Sequence, residues 1–141
     1  MQPAAEIFEI RISVMPEDID VMNHVNNVAY LRWVQEVAVA HWRTAATAAE
    51  QQQWLWVVLR HEIDYKQPAV LGDEIVARTW VGNASRVKFE RNTEILRAGE
   101  GTLLAKAVSW WCSIDALTRR PSAASEELRR RFGLAEKNSA G

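Results

Sequence analysis

Apolar and polar residues alternate at the start of the chain: Phe8, Ile10, Ile12 and Val14 are interleaved with Glu9, Arg11 and Ser13. A period of two places these apolar side chains on one face of a half-buried strand. Pro16 breaks the pattern, and a short polar loop runs to Asn27. From Val28 to about Ala49 the chain contains no Gly or Pro and is rich in Ala, which predicts a helix. Asn26 or Asn27 is placed to cap it, because an Asn side chain accepts from the free amides of a first helical turn. Tyr30, Leu31, Trp33, Val34, Val37, Ala38, Ala40 and Trp42 cover most of this helix, and Arg32, Gln35, Glu36 and Arg43 leave only a narrow polar stripe. A helix so apolar is largely wrapped by other structure.

Four strand-like stretches follow, at about 54–66, 73–82, 85–97 and 102–115. The third alternates cleanly, with Val87, Phe89, Arg91, Thr93 and Ile95 against Arg86, Lys88, Glu90, Asn92 and Glu94. Gly82-Asn83 and Ala98-Gly99-Glu100-Gly101 are predicted hairpin turns, and Pro68 to Gly72-Asp73 a longer connection. Ser122 through Phe132 reads as a short terminal helix, with Glu126 and Glu127 in its first turn, Arg129 to Arg131 in its last and Gly133 just beyond. Strand, long helix, then four antiparallel strands is an α+β order: one buried helix against one antiparallel sheet. Neither a repeat nor a low-complexity linker interrupts it, so residues 1–141 are expected to form a single domain.

Composition narrows the function classes. A net charge of −1 gives no bulk electrostatic attraction to nucleic acid or to an anionic membrane. Cys112 is the only cysteine, so no intramolecular disulfide forms and a reducing compartment fits. The N-terminal residues lack the basic and apolar regions of a secretory signal, and no apolar run reaches the roughly 18 residues needed to span a bilayer. The expectation is a soluble cytoplasmic protein. Seven tryptophans in so short a chain suit either a Trp-rich core or an oligomer interface.

Residues 18–36 read DIDVMNHVNNVAYLRWVQE, which packs two acids, several amides and a histidine ahead of the predicted helix. A helix start offers unpaired amides and partial positive charge that stabilise an oxyanion. A nearby carboxylate can activate water or attack a carbonyl. Taken alone, the same residues also suit a polar loop of Asn caps and Asp turns.

The stretch resembles the signature of the hotdog-fold acyl thioesterases, including 4-hydroxybenzoyl-CoA thioesterase relatives and plant acyl-ACP thioesterases. Their D-x-D…H-V-N-N-x-x-Y pattern is matched by Asp18, Asp20, His24, Val25, Asn26, Asn27 and Tyr30, and a later glutamate by Glu36. The segment HEIDYKQPAVLGDEI resembles the family's strand-Pro-x-x-x-Gly-Asp connection. The resemblance implies a hotdog fold, one long helix wrapped by a five-stranded antiparallel sheet, and hydrolysis of an acyl-CoA or acyl-ACP thioester without a cofactor. It implies Asp20 as nucleophile or general base, and the backbone N–H near Asn27 as the group polarising the carbonyl. His24 would stand by the scissile bond; Asn23, Asn26, Tyr30 and Glu36 would contact or orient substrate. It also implies a homodimer, or a dimer of dimers, with the active site at the shared interface. Two positions depart from the pattern. Met22 stands where the plant enzymes carry a catalytic Asn, and Asn23 where many bacterial relatives carry Gly.

Arg86 and Lys88 are candidates by charge for the phosphates of CoA, and two residues apart on a strand they share a face. Cys112 lies amid strand residues, where a cysteine is a small core hydrophobe more often than a nucleophile. Ser109 and Ser113 lack a G-x-S-x-G turn, and the three histidines lack metal-ligand spacing, so no metal site is expected. His41 and His61 are expected to be packed or hydrogen-bonded. Two other classes stand beside hydrolysis. One is a hotdog hydratase or dehydratase, whose F-P-G-x-P loop is missing; the other is a non-catalytic acyl-CoA-binding module.

Overall fold

The computed structural model describes residues 6–134; the ends of the expected domain, 1–5 and 135–141, lie outside them. The elements run β1 (Phe8–Ser13), a 3-10 turn (Pro16–Asp18), α1 (Asn27–Ala45), α2 (Ala48–Gln53), β2 (Trp54–Tyr65), β3 (Glu74–Ala84), β4 (Lys88–Arg97), β5 (Thr102–Asp115) and α3 (Glu126–Arg131). The five strands form one antiparallel sheet in the order β1-β3-β4-β5-β2, with β1 and β2 at its edges.

The long helix lies on one face of this sheet. Tyr30, Trp33, Val34 and Val37 of α1 pack against Ile75, Ala77, Ile95, Leu104 and Ala107. Alanines at Ala77, Ala105 and Ala107 keep the sheet surface low, which lets a helix bearing a tryptophan approach it. A second apolar cluster joins Trp42 and Ala45 at the far end of α1 to Trp54, Phe89, Leu128 and Phe132. The expected two-layer α+β arrangement is therefore present, and β4 buries Phe89, Arg91, Thr93 and Ile95 as its alternation predicted.

Three expected boundaries change. The helix expected to run to Ala49 stops at Ala45, and Thr47 starts α2 by accepting from Glu50 N–H at 3.1 Å while Glu50 accepts from Thr47 N–H at 2.8 Å. This reciprocal cap satisfies two amides that a continuous helix would not expose. Gly82-Asn83 is not the hairpin turn: β3 runs on to Ala84 and the pair sits at a register shift between Val81 and Ala84. A Cβ on Gly82 would come within 2.7 Å of Glu90 Oε1, the mobile end of a cross-strand side chain that would have to shift. The chain turns instead at 85–87, where Ser85 N–H donates to Lys88 O at 2.8 Å. The terminal helix is shorter than 122–132, beginning after Ser125, which caps Leu128 N–H at 3.2 Å.

Candidate active site

The loop before α1 is built by two aspartates. Asp18 is buried; its Oδ2 accepts from Met15 N–H at 3.1 Å and its Oδ1 from Arg32 Nη2 at 2.8 Å. That ion pair ties the loop to the first turns of α1 and raises the Arg32 pKa, chiefly through the hydrogen bond to Asp18. The Asp18 carbonyl takes both the backbone N–H and the Nδ2 of Asn26, at 2.8 and 3.0 Å. Asn26 Oδ1 in turn accepts from Ala29 N–H at 2.9 Å, making Asn26 the cap of α1 and its oxygen a structural group.

Asp20 is exposed on the outer side of the same loop. Its Oδ1 accepts from Met22 N–H at 2.8 Å and His24 N–H at 3.2 Å, and its own N–H donates to His24 O at 2.8 Å. These bonds curl residues 20–24 into a tight turn in which Asn23 adopts φ +61°. Asn tolerates that left-handed conformation better than other side-chain-bearing residues, which suits Asn23 to this place in the turn. Both carboxylate bonds fall on one oxygen, and Asp20 is at once a turn residue and an exposed carboxylate.

Asn27 opens the 19-residue helix α1. Its amide is one of the N-terminal donors that no helical carbonyl can satisfy. Asp20, His24, Val25, Asn27 and Tyr30 line one side of an open cleft of about 290 Å³, and Tyr65, Lys66, Gln67 and Pro68 line the other. The two sides are bonded together. Val25 N–H donates to Ala69 O at 2.8 Å, Ala69 N–H to the Tyr30 hydroxyl at 2.9 Å, and the Tyr65 hydroxyl to Asn27 O at 3.3 Å. Burial raises the Tyr30 pKa, so its hydroxyl is protonated at neutral pH.

The sequence-derived candidates thus divide. Asp20, His24, Asn27 and Tyr30 share the cleft. Asn23 shapes the turn. Glu36 lies 3.5 Å from Arg32 on the exposed stripe, and through Arg32 it supports Asp18 rather than facing the cleft. Arg86 and Lys88 do not share a strand face: Arg86 is in the turn and only Lys88 is in β4. They are also remote within one chain. Lys88 pairs with Cys112 and Tyr65 with Ala105, so some seven steps of β5, about 23 Å, separate them from the cleft. Tyr65 and Lys66 line the cleft without having been singled out; their only sequence signal was the segment leading to Pro68.

The remaining polar candidates are held elsewhere. His61 Nδ1 lies 2.7 Å from Ser109 Oγ, and burial lowers the His61 pKa. Ser113 Oγ donates to Ser122 O at 2.6 Å, and the buried Cys112 Sγ to Ser113 O at 3.6 Å. Among the described residues no three His, Cys, Asp or Glu side chains gather where they could hold a metal ion, and no helix is long and apolar enough to cross a membrane.

Residues 14–132 match the thioesterase-like superfamily. A long-chain acyl-CoA thioesterase, FadM, of Escherichia coli K12 is 28% identical over 130 residues, which span 88% of this chain and 96% of that one. A chloroplastic palmitoyl-acyl carrier protein thioesterase of Gossypium hirsutum is 25% identical over 132 residues, covering 87% of this chain but only 32% of the plant protein. The chain therefore spans about a third of the length of its plant relatives. Among solved structures, the probable thioesterase YbaW of Escherichia coli superposes with a TM-score of 0.79 at 25% identity, over 92% of this chain and 99% of that one.

Proposed function

This chain belongs to the thioesterase-like superfamily, and on that footing we propose that it hydrolyses an acyl thioester with Asp20 as the catalytic carboxylate. The observation that carries the reading is the cleft that an exposed carboxylate shares with the first residue of a 19-residue helix. The thioester carbonyl lies against the N-terminus of α1, where the Asn27 N–H and the helix dipole stabilise negative charge as it develops on oxygen. Asp20 then acts in one of two ways. It attacks the carbonyl carbon, expels the thiolate and leaves an acyl-aspartyl anhydride that water cleaves; or it takes a proton from the water that attacks. Either way the products are a carboxylate and a thiol. The Oδ1 atom is already bonded to two backbone amides, so Oδ2 is the reacting oxygen. His24 stands beside the scissile bond, Tyr30 walls the cleft, and Asn23 and Asn26 set the loop's shape.

Acyl-CoA is favoured over acyl carrier protein. The relative named for acyl-CoA matches this chain over nearly its whole length, whereas the plant relatives match over a third of theirs. Lys66, at the cleft, is placed to meet a substrate phosphate. The working unit is a homodimer, or a dimer of two such pairs, joined through the β2 edge, where Leu55, Val57 and Leu59 are exposed. Antiparallel pairing of two β2 strands sets the Trp54 end of one chain beside the Tyr65 end of its partner. Arg86 and Lys88 of one protomer then approach the other protomer's cleft, which restores them as phosphate contacts.

Thiol release from a panel of acyl-CoAs tests the reading. The parent should turn over at least one of them, and Asp20→Asn should fall by a hundredfold or more. Equal rates for parent and variant would overturn it.

A further inference from the structure

A second cavity, of about 210 Å³, lies at the opposite end of α1, between that helix, β2 and Phe132 beyond α3. It shares no lining residue with the Asp20 cleft. Its wall is mainly aromatic, with Trp42, Trp54, Trp56, Trp111 and Phe132, and among the described residues Arg91 is the only charged side chain on it.

Arg91 is 7% exposed, and its Nη1 donates to His41 Nδ1 at 2.9 Å and to Thr79 Oγ1 at 3.2 Å. The guanidinium also lies over the Phe132 ring, 5.8 Å from its centroid. None of these partners carries negative charge. Burial, and secondarily Arg91 itself, push the His41 imidazolium down to about 3, so His41 is neutral and accepts on Nδ1. Its other nitrogen lies 3.5 Å from Glu6 Oε1, too poorly aligned for a hydrogen bond, so that carboxylate reaches Arg91 only through a neutral ring. Among the described residues no carboxylate lies within ion-pair distance of Arg91. Burial lowers the Arg91 pKa only to about 10, which leaves it charged at neutral pH.

A buried charge without a countercharge is costly. The tryptophans add to the imbalance: the indole N–H groups of Trp54, Trp56 and Trp111 are buried with no acceptor. Among the described residues, and apart from the amide of Gln51, every polar side chain on the wall donates and none accepts. The complement of such a wall is an anion carried on an apolar body. A carboxylate has the two coplanar oxygens that a guanidinium fork receives.

We propose that this cavity binds the carboxylate end of an apolar molecule, with Arg91 as the anchor and the tryptophans enclosing the alkyl or aryl body. Two sources share that chemistry: a free carboxylic acid, and the distal carboxylate of an acyl group entering from a second copy of this chain. The proposal does not depend on Asp20.

Octanoate and 1-octanol, which present matched tails with and without the charge, form the test, read by calorimetry and by fluorescence of the lining tryptophans. Octanoate should bind the parent at least about tenfold more tightly than octanol, as a charged hydrogen-bonded pair contributes beyond tail burial. Arg91→Met keeps an apolar side chain of similar length and should erase that preference, as should Val39→Trp, which adds bulk at an exposed lining position of α1. Asp20→Asn should bind octanoate as the parent does, which separates this site from the catalytic reading. Competitive inhibition of thioester turnover that Arg91→Met abolishes marks the acyl-end source; binding without competition marks the free acid. Equal affinity for octanoate and octanol would overturn the proposal even if Arg91→Met failed to fold. So would undiminished octanoate binding by a folded Arg91→Met.

Discussion

Asp18 is 2% exposed and Asp20 stands in solvent, although only Ile19 separates them. Asp18 spends both oxygens on the fold, one on Met15 N–H and one on Arg32. Replacing it with Asn weakens the ion pair, and unfolding should become easier by about 1–3 kcal/mol, the range for a compromised buried charged hydrogen bond. Turnover per folded molecule should suffer less than in Asp20→Asn, for which kcat is expected to drop at least about a hundredfold with KM changed much less. Denaturant unfolding and steady-state kinetics on both variants check the pair. Single turnover in heavy-oxygen water then divides the two roles of Asp20, because only an anhydride intermediate can leave heavy oxygen in the enzyme carboxylate. Cys112→Ala should leave turnover nearly unchanged, since the thiol is buried and donates to a neighbouring carbonyl; a thousandfold loss with intact folding would restore it as a nucleophile. At this scale the sequence spoke through the density of polar residues between Asp18 and Asn27. It was silent about Lys66, whose place at the cleft depends on a loop packing across from α1.

Elements were legible wherever periodicity was uninterrupted, as in β1 and β4, and less so where a local cap competed with propensity. The Ala-rich run through Ala49 favours helix, yet the Thr47–Glu50 cap and the Trp54 strand divert the chain after Ala45. Gly82-Asn83 has the composition of a turn but lies inside a strand, because the pairing of β3 with β4 continues past it to Ala84. Arg129, Arg130 and Arg131 sit in the last turn of α3 as expected, and two of them, Arg129 and Arg131, also tie it to other elements. Arg129 Nη1 donates to Ser85 O at 3.0 Å, and Arg131 Nη1 to Ala45 O and Glu50 Oε1, each at 2.6 Å. The Arg131 guanidinium, ahead of the Thr47 bonds, pulls the Glu50 carboxyl from 4.5 down to about 2. A depressed carboxyl contributes stability that is present above its unfolded pKa and fades as pH falls through the folded one. The melting temperature should therefore decline between pH 4.5 and pH 2, and Arg131→Gln should flatten that part of the decline. Parallel slopes for parent and variant would show that the pair adds nothing. Asn26→Ala should cost about 1 kcal/mol as a lost cap, with further loosening of the Asp18 loop, measurable by denaturant unfolding.

For the whole molecule, the open edge at β2 is the feature on which assembly turns. Leu55, Val57 and Leu59 are 36%, 49% and 55% exposed along it, an apolar edge of the kind that proteins usually cover or charge. Sedimentation should give a dimer or tetramer, and Val57→Lys with Leu59→Lys should dissociate it and abolish hydrolysis together. A stable, active monomer at micromolar concentration would remove the interface. The same strand has a history as well as a position. Among the described residues β2 pairs only with β5, yet β3 and β4 come between them in the chain. During synthesis β2 leaves the ribosome roughly forty residues ahead of its partner, and with N-terminal parts emerging first it must wait for long-range closure. Until then Trp54, Trp56 and the edge residues beside them are a hydrophobic strand without a sheet. A nascent chain stopped at Gly101 is consequently the form of this protein that chaperones should hold most tightly, and release of that hold marks the moment β5 arrives.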